Sequence, residues 1–353
     1  MKAKIYQTID KQVIKDWQKL WEKSSFANYA NAPQWFLSAV ETFEFKNYAI
    51  IALYEKEKLI AIGALVKEKR YGLNFYTVAP GDFTCGIPFL IDLDNNKIVQ
   101  EFKKQLLLLG HVFLSNIPTA FLEAFGKDSS VMQSSLQTVN YFLPIIKDSS
   151  GQALIVKRNK LMHRVKTIQE KFTLHSFNGV TMEGLDKAFE LDDQSRKQSR
   201  GYNAFNSVEV KNFYKNLVKH FKENLCINIL YLEDKPIAYE IGFLIGKNYF
   251  GSQMAYVAEY KQYSPGKVIL VKLVDFLASK DIKKLDCGSG DSPIKQLLTD
   301  EKRDLYEIIL SDNKFVRNYS KYVGILKQFA YDKLHQNIRV YSLYRRIRKI
   351  LPL

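Results

Sequence analysis

An internal repeat is the feature that most restricts the folds open to this sequence. The segment "LYEKEKLIAIGALV" begins at Leu53, and "LYLEDKPIAYEIGFLI" begins at Leu230. Each reads as an apolar strand, a charged turn and a second apolar strand, which predicts a β-hairpin. Both hairpins start with Leu-Tyr, and Lys58 in the first turn aligns with Lys235 in the second.

The segments after the two hairpins also correspond. Each hairpin leads through more strand into a loop with glycine and proline, then into a helix and a short strand. These segments are "APGDFTCGIPF", "NKIVQEFKKQLLLLG" and "HVFLSNI" in the first half, and "EYKQYSPGK", "KVILVKLVDFLASK" and "KKLDCGS" in the second. Such an order can arise by chance, but four successive elements in the same order favour a duplicated domain.

Chain length supports the same interpretation, because 353 residues exceed the size at which one hydrophobic core stops growing. We therefore predict an α/β (or α+β) protein with two domains, each a mixed central sheet flanked by helices. The predicted boundaries are 1–155 for the first domain, 156–313 for the second and 314–353 for a basic helical tail.

Helical periodicity predicts further helices along the chain. One follows Asp10, whose side chain suits an N-cap, and another starts near Pro33. The range 157–171 reads as a basic amphipathic helix, and a fourth helix begins at Ser207.

Composition excludes several classes of protein. The three cysteines are too scattered for a disulfide framework, and the five histidines lack ligand spacing, so we expect no metal. The start of the sequence has no apolar h-region, and the most apolar run, "LLLLGHVFL", is far too short to span a bilayer. These observations predict a cytoplasmic protein with reduced thiols.

The net charge of +15 is unevenly distributed. From Lys314 to the end there are ten Lys and Arg residues against one acid, Asp332, so +9 of the surplus lies in the last forty residues. Because the rest of the chain is only mildly basic, the charge does not indicate a nucleic-acid-binding protein.

The stretch "EYKQYSPGKVIL" is a candidate ligand site. Pro265 pushes Ser264 toward an extended backbone, and Gly266 allows another group to approach the main chain closely. The N–H groups from Gly266 to Ile269 begin a helix and are expected to lack intrahelical partners, which suits a phosphate or pyrophosphate. Lys267 adds positive charge. The alternative is an ordinary turn before a buried helix.

The order of elements around this loop resembles the acyl-CoA-binding core of the GNAT superfamily of N-acyltransferases. More specifically, residues from about 157 to 298 resemble the CelD-like acetyltransferases of polysaccharide biosynthesis. The resemblance rests on "KPIAYEIGFLIGKNYFGSQMAYVAEYKQYSPGKVIL" and on "KKLDCGSGDSPIKQLL", which carries the family's Asp-x-Gly-x-Gly-Asp and a following Lys. The N-terminal "SSFANYANAPQWFLSAVETF" is also similar to that family. More distantly, the chain resembles the tandem-domain Fem aminoacyltransferases of cell-wall synthesis.

This resemblance implies acetyl-CoA, or another acyl-CoA, as the co-substrate of the second half. The residues that it implies for binding are Gln262, Ser264, Pro265, Gly266, Lys267 and Val268. The usual GNAT loop, Gln/Arg-x-x-Gly-x-Gly/Ala, keeps only one glycine here. The corresponding loop of the first repeat, "PGDFTCG", has no basic residue, so the N-terminal half is expected to supply one wall of the acceptor cleft.

Acyl transfer from a thioester needs donors for an oxyanion. The candidates are a main-chain N–H of the strand 248–257 and the ammonium of Lys295, for which a solvated lysine is the alternative. Tyr256 is a candidate for protonating the leaving thiolate.

The reaction also needs a base for the acceptor's proton, and a carboxylate with a raised pKa beside an apolar strand would serve. Glu240, Asp286 and Asp291 are the candidates. The alternation of the strand allows Glu240 to face solvent instead, and Asp291 can be a helix cap.

The resulting hypothesis is an acyl-CoA-dependent N-acyltransferase, with acetyl the expected group, that acts on an amino sugar or another glycan or cell-envelope precursor. The acceptor, a small molecule or a lipid-linked glycan, follows from the resemblance alone. One alternative is a Fem-like ligase that takes its acyl group from aminoacyl-tRNA, although no sustained heptad pattern indicates the long helical arm often found there. The other is a catalytically silent protein that binds a glycan or a lipid carrier.

The tail combines apolar residues at helical spacing with a cluster of basic residues. The apolar set is Phe315, Tyr319, Tyr322, Val323, Leu326, Phe329, Leu334, Tyr341, Tyr344, Ile347 and Leu351; the basic set is Arg339, Arg345, Arg346, Arg348 and Lys349. This pattern suits a helix packed on the second domain with a solvated basic face. It equally suits an interfacial helix that holds the protein against an anionic membrane.

Overall fold

A computed structural model describes residues 1–126, 130–149, 153–155, 157–178, 180–199 and 203–335. Its α-helices are α1 (Lys11–Lys23), α2 (Pro33–Phe43), α3 (Asn96–Leu108), α4 (Thr119–Phe125), α5 (Arg158–Met162), α6 (Met182–Asp193), α7 (Arg196–Ser199), α8 (Val208–Phe221), α9 (Pro265–Ser279), α10 (Pro293–Leu298) and α11 (Lys314–His335). Its strands are β1 (Lys2–Tyr6), β2 (Tyr48–Glu55), β3 (Lys58–Arg70), β4 (Leu73–Thr77), β5 (Val112–Pro118), β6 (Met132–Pro144), β7 (Phe172–Asn178), β8 (Leu225–Leu232), β9 (Lys235–Ile245), β10 (Asn248–Tyr256), β11 (Lys284–Ser289) and β12 (Lys302–Leu310). The predicted α/β class with mixed sheets is confirmed.

The chain divides into two compact units. Unit 1 contains Met1–Pro33, Phe45–Gln137 and the chain from Leu305, and unit 2 contains Gln34–Glu44 and Thr138–Asp304. These boundaries differ from the predicted 1–155, 156–313 and 314–353, because α2 belongs to the second unit and α11 belongs to the first.

Aromatic packing explains why α2 belongs to unit 2. The ring of Trp35 meets Phe213 of α8 and Phe243 of β9 edge to face, with ring centroids 4.9 and 5.7 Å apart. Such contacts bury a large apolar area, and they hold α2 to elements that lie far away in sequence.

Unit 1 contains strands in the order β1-β2-β3-β4-β5-β12. The hairpin predicted at Leu53 is β2 and β3, and its turn closes at the pair Glu55 and Lys58. β4 and β5 are parallel, whereas the other neighbours are antiparallel. The core against α3 and α4 contains a cluster of phenylalanine rings, among them Phe89, Phe102 and Phe121.

Unit 2 repeats this plan with strands in the order β6-β11-β10-β9-β8-β7. The hairpin predicted at Leu230 is β8 and β9, and β10 and β11 form the parallel pair. α9 packs on one face, where Val268 meets Ala238. On the opposite face the hydroxyl of Tyr239 donates to Asp192 of α6. In both units a hairpin, a third strand, a helix and a parallel strand follow one another, as the repeat predicted.

The predicted helix termini are confirmed at three positions. The Asp10 side chain accepts from the N–H groups of Gln12 and Val13 at the start of α1, and Ser207 caps α8 by accepting from Val210. Pro33 is the first residue of α2.

The single amphipathic helix predicted over 157–171 is wrong. The structure has α5, followed by two short 3₁₀ turns at His163–Val165 and Gln169–Lys171. The β-branched residues Val165, Thr167 and Ile168 are stiff at χ1 and lower the preference of this segment for a continuous helix.

The orientation of α11 bears on both interpretations of the tail. Val316 and Ser320 are buried, whereas Phe315 is 70% exposed, Tyr322 65% and Leu326 65%. Most of the predicted apolar residues therefore face solvent over the described part of the helix, whereas Val323 is half-buried. The predictions made for Phe329, Leu334 and the residues from Arg339 onward concern side chains outside the described part of the chain.

Candidate active site

The parallel strands β10 and β11 separate after a short paired region, and we call the opening between them the fork. Their last paired residues are Phe250 and Asp286. Just beyond this pair, a bulge between Gly251 and Gln253 shifts the register of β10 against β9. Such bulges locally bend a strand and break its pairing.

Two glycines allow the main chains to approach at the fork. A Cβ on Gly251 would lie 3.4 Å from both the Asp286 carbonyl oxygen and Oε1 of Glu240. Gly288 has φ +71°, and a Cβ there would lie 3.1 Å from the Gly251 carbonyl oxygen. The Glu240 carboxyl group therefore lies where the strands part.

Beyond the bulge, one side of the main chain of β10 faces the fork, because its pairing with β11 ends at Phe250. The N–H of Val257 donates to the carbonyl of Ile237. Because main-chain groups point alternately to the two sides of an antiparallel strand, those of Met254 and Tyr256 point away from β9. The N–H groups of these two residues are the specific candidates for the oxyanion donor predicted within 248–257.

Glu240 is buried, and so the alternative of a solvent-facing carboxylate is wrong. Its Oε2 accepts hydrogen bonds from the hydroxyl of Tyr249 at 2.5 Å and from Nδ2 of Asn228 at 2.6 Å. Burial raises the pKa of Glu240 to about 7, although these two hydrogen bonds oppose the rise. A carboxyl group that titrates near neutral pH is suited to general base catalysis.

Asp286 has a different environment. Its Oδ1 accepts from Nδ2 of Asn140 at 2.7 Å and from the N–H of Gly288 at 2.9 Å, and its Oδ2 accepts from Arg303 at 2.8 Å. Arg303 also donates through Nε to Oδ1 of Asn140. Two amide donors and one arginine therefore hold this carboxylate in place, and this arrangement favours a structural role at the start of the fork.

Asp291 lies at the surface, where Gln296 and Tyr141 donate hydrogen bonds to its Oδ1. These hydrogen bonds hold its pKa below the usual range, which makes it a weak base. It is not the cap of α10, because Ser292 fills that position.

Lys295 is not the solvated lysine of the alternative interpretation. Its ammonium donates to the carbonyl oxygens of Gly288, Ser289 and Gly290 at 2.8–3.0 Å. This side chain thereby orders the Gly-rich turn that follows β11.

The predicted anion site at the start of α9 is smaller than expected. Ser264 has φ +52°, in the left-handed region, and not the extended backbone predicted before a proline. Its carbonyl accepts from the N–H groups of Lys267 at 2.9 Å and Val268 at 3.3 Å. Pro265 has no N–H, so Gly266 keeps the one N–H of this first turn that has no partner among the described residues.

Gly266 faces the fork side of α9. A Cβ on it would lie 3.6–3.8 Å from the side chains of Tyr256, Met254 and Ile294, which is ordinary contact. This places Tyr256 beside the predicted anion site. Gln262 is exposed, and Lys267 is half-buried.

Three site residues were missed by the sequence analysis: Asn228 and Tyr249, which bind Glu240, and Lys197 of α7, which donates to the Met254 carbonyl. Asn228 carried a signal, because it is a polar residue inside the apolar strand "LCINILYL" and pairs with Glu240 in register. Lys197 carried none, since its strand contact is distant in sequence.

A cysteine nucleophile has little support in this region. Burial raises the pKa of Cys287, the thiol nearest the fork in sequence, to about 12, so it is a poor nucleophile. Among the residues that the structure describes, no group of three or more His, Cys, Asp or Glu side chains is arranged to hold a metal ion.

Comparison with known proteins agrees with this geometry. Residues 158–296 match the sequence model of the family described as acetyltransferase (GNAT) domain. This range contains Glu240, the start of α9 and the whole of β10 and β11. No curated protein sequence matches the chain.

Solved structures share the fold over most of the chain. FemX has a TM-score of 0.59 and 10% identity, with 87% of this chain and 97% of that one covered. A C-terminal domain assigned to a lysylphosphatidylglycerol synthetase from Agrobacterium fabrum has a TM-score of 0.58 and 8% identity, covering 88% and 95%. L-PGS from Bacillus licheniformis has a TM-score of 0.52 and 11% identity, also covering 88% and 95%. At these identities the similarity concerns the fold alone.

Proposed function

We propose that the protein is an N-acyltransferase that works at the fork and takes its acyl group from acyl-CoA, with acetyl-CoA as the expected donor. The observation that carries the proposal is Glu240, a buried carboxyl group with a pKa of about 7 beside the separating strands. It lies within the range that matches the GNAT domain.

In the proposed reaction the acceptor amine attacks the acyl carbon, a C–N bond forms, and the carbonyl oxygen gains negative charge. Glu240 takes the proton from the amine, directly or through one water molecule. The N–H groups of Met254 and Tyr256 stabilise the oxyanion. The C–S bond then breaks, and the thiolate takes a proton, for which the Tyr256 hydroxyl is the candidate donor.

The start of α9 is the proposed binding site for the CoA pyrophosphate. The unpartnered N–H of Gly266 and the charge of Lys267 support this assignment, together with the position of Gly266 beside Tyr256. The other proposed contacts come from Gln262, Ser264, Pro265 and Val268. Since only one N–H is available, we expect Lys267 to provide much of the attraction for phosphate.

The proposed acceptor is an amine of an amino sugar or another glycan precursor of the cell envelope. The support is the resemblance of the segment from Asp286 to Lys295 to the CelD-like acetyltransferases. Comparing the transfer rates of glucosamine and of an aliphatic amine without a sugar ring tests this choice, and a preference for the plain amine would contradict it.

A Fem-like aminoacyl transfer is the second candidate. Its support is the fold shared with FemX, with the domain assigned to a lysylphosphatidylglycerol synthetase and with L-PGS over 87–88% of the chain. In that case the leaving group is the ribose hydroxyl of a tRNA, and the same base and oxyanion donors apply.

Titration calorimetry with acetyl-CoA and, separately, with an aminoacyl-tRNA distinguishes these candidates. We expect acetyl-CoA to bind and to be consumed in the presence of an amino-sugar acceptor, and Glu240→Gln to bind it equally well without turnover. Binding of aminoacyl-tRNA alone supports the Fem-like reaction. If neither acetyl-CoA nor aminoacyl-tRNA is turned over, the remaining interpretation is a catalytically silent binding protein.

We further propose that α11 brings the protein to the surface of an anionic membrane. Its exposed stripe of Phe315, Tyr319, Tyr322, Ile325 and Leu326 is the support within the described residues. The surplus of nine positive charges from Lys314 onward complements anionic lipid. The proposed contact is interfacial, because apolar and basic side chains on one helix suit the surface of a bilayer. None of the described helices is long and apolar enough to cross a membrane.

A further inference from the structure

Lys197 is a half-buried lysine beside the fork that the reaction above does not use. Its Nζ donates to the main-chain oxygen of Met254 at 2.7 Å. Met254 is also the register partner of Glu240. The residue that this ammonium group binds is therefore paired across the sheet with the strand position of the proposed base.

The ammonium lies at the opening itself. The main-chain groups of Met254 point away from β9, toward the side from which β11 has separated, so the carbonyl that Lys197 binds faces the fork. The N–H of Met254 points to the same side, and a ligand oxygen that it binds would be close to the ammonium. α7, which carries Lys197, directly follows α6 in the chain and contacts both α6 and β10.

The charge of Lys197 is not neutralised by an acidic partner within the described chain. The acidic group that faces it is Asp192 of α6, whose carboxylate already accepts from three other groups: the Tyr239 hydroxyl, Nδ2 of Asn203 and the N–H of Phe205. The basic group that faces it is Lys295 of α10. Burial lowers the pKa of Lys197, the charge of Asp192 opposes this, and that of Lys295 lowers the pKa further.

A purely structural role explains Lys197 poorly, because other contacts already fix this segment to the end of β10. Ser195 forms a bridge with Val257, and the N–H of Ala258 donates to the Gln194 carbonyl. Withdrawing an ammonium group from water without a carboxylate partner is costly. Its position is therefore best explained by an anion that forms or binds at the fork.

We propose that Lys197 is a catalytic residue of the acyl transfer. When the nucleophile adds to the acyl carbon, the π electrons of the C=O bond move to oxygen, and Lys197 donates a hydrogen bond to this oxyanion beside the N–H of Met254. Collapse of the intermediate returns the electrons and expels the thiolate, or the tRNA hydroxyl in the Fem-like case. The inference rests on the proposed acyl transfer but not on the choice of donor.

The test compares three variants in steady-state kinetics, with whichever of acetyl-CoA and aminoacyl-tRNA the wild-type protein turns over. Lys197→Met keeps the length of the side chain and removes its charge, and Lys197→Arg keeps the charge. Lys187→Met is the matched control, because Lys187 of α6 is also half-buried and donates one hydrogen bond, to the Tyr231 hydroxyl.

We expect Lys197→Met to lower kcat about 100-fold, as the loss of an oxyanion donor does elsewhere, with donor Kd within about twofold of wild type. Lys197→Arg should recover part of this loss. Wild-type activity should fall at alkaline pH as Lys197 loses its proton, and this alkaline limb should move to higher pH in Lys197→Arg, because arginine stays charged. Lys187→Met should behave as wild type.

Normal kcat in Lys197→Met would overturn the proposed role of Lys197 but would leave the proposed function standing. So would equal losses in the Met and Arg variants with an unchanged alkaline limb and a lower thermal midpoint, since these would show a structural role. A wild-type protein that turns over neither donor would overturn the proposed function and this inference with it.

Discussion

The hydroxyl of Tyr249 donates a hydrogen bond to Glu240 across 2.5 Å in the core of unit 2. Burial raises the pKa of the Tyr249 hydroxyl well above its usual value, so this group stays a donor at all ordinary pH values. Its hydrogen bond stabilises the ionised form of Glu240 and keeps the pKa of that carboxyl from rising further. The pair thus sets the pH at which the proposed base becomes active.

This relationship predicts the pH dependence of turnover. Because the base must be ionised, kcat should rise with pH through about 7 and then level off. Tyr249→Phe removes one donor to the carboxylate, so the acidic limb should move to higher pH. Glu240→Gln should abolish the limb together with most of the activity. A limb that stays near pH 7 in Glu240→Gln would assign it to another group.

The same group predicts how the free energy of unfolding changes with pH. Below the ordinary pKa of 4.5, Glu240 is protonated in both states. From there to about pH 7 the unfolded state loses the proton and the folded state keeps it, so stability falls by at most about 3 kcal/mol. Glu240→Gln should therefore become more stable relative to wild type between pH 4.5 and 7. Urea unfolding measures this.

A surface variant controls for the change in net charge. Glu259→Gln removes one negative charge from an exposed position of the same unit. If it reproduced the pH-dependent gain of Glu240→Gln, the gain would not come from the buried carboxyl group.

A negative charge introduced at the start of α9 should weaken the binding of acetyl-CoA. Gly266→Glu adds negative charge where the pyrophosphate is proposed to lie, and acetyl-CoA affinity should fall at least tenfold, or about 1.4 kcal/mol. Gly266→Gln has nearly the same size without the charge and should lose less. Calorimetry on both variants measures the difference, and equal affinities in folded variants would remove the pyrophosphate from this loop.

Replacing Gly288 by alanine should lower the free energy of unfolding and change the shape of the fork. Its φ of +71° and the 3.1 Å approach of a Cβ to the Gly251 carbonyl are both unfavourable for alanine. Gly290 has φ +98° and no atom within 4 Å of such a Cβ, so Gly290→Ala reports backbone strain alone, roughly 1 kcal/mol or more. Gly288→Ala should cost more than this in urea unfolding. If both variants lost the same free energy of unfolding, the Gly251 carbonyl would have moved away from the new Cβ without a further penalty.

The exposed stripe of α11 predicts salt-sensitive sedimentation with anionic vesicles. Each basic residue near such a surface contributes about 1 kcal/mol, and exposed apolar side chains add to binding. Tyr322→Ser with Leu326→Ser should weaken binding, and deletion from Tyr341 onward should abolish it while acetyl-CoA binding remains. Leu108→Ser, at another exposed leucine, is the matched control. Equal sedimentation with neutral vesicles would contradict the membrane contact.

Much of the fold could be predicted because its signals are local. The hairpins at Leu53 and Leu230 follow from apolar runs around charged turns, the cap at Asp10 follows from a side chain that reaches its own helix, and the start of α8 near Ser207 follows from helical periodicity. The helix predicted over 157–171 failed because helical periodicity does not register the stiffness of β-branched residues. The unit boundaries failed because α2 is assigned by contacts with distant residues such as Phe213.

The sequence by itself determined the repeated units, the carboxylates near the last strands and the glycine turn before α9, since each depends on residue type and short spacing. Only the tertiary structure distinguished the three carboxylates. Their surroundings differ in burial and in partners such as Tyr249 and Arg303, which lie 9 and 17 residues from the carboxylates that they bind. It alone placed Lys197 at the fork, 57 residues from the carbonyl that it binds. Electrostatic and hydrogen-bond energies depend on distance in space, and folding brings such residues together without a trace in local sequence.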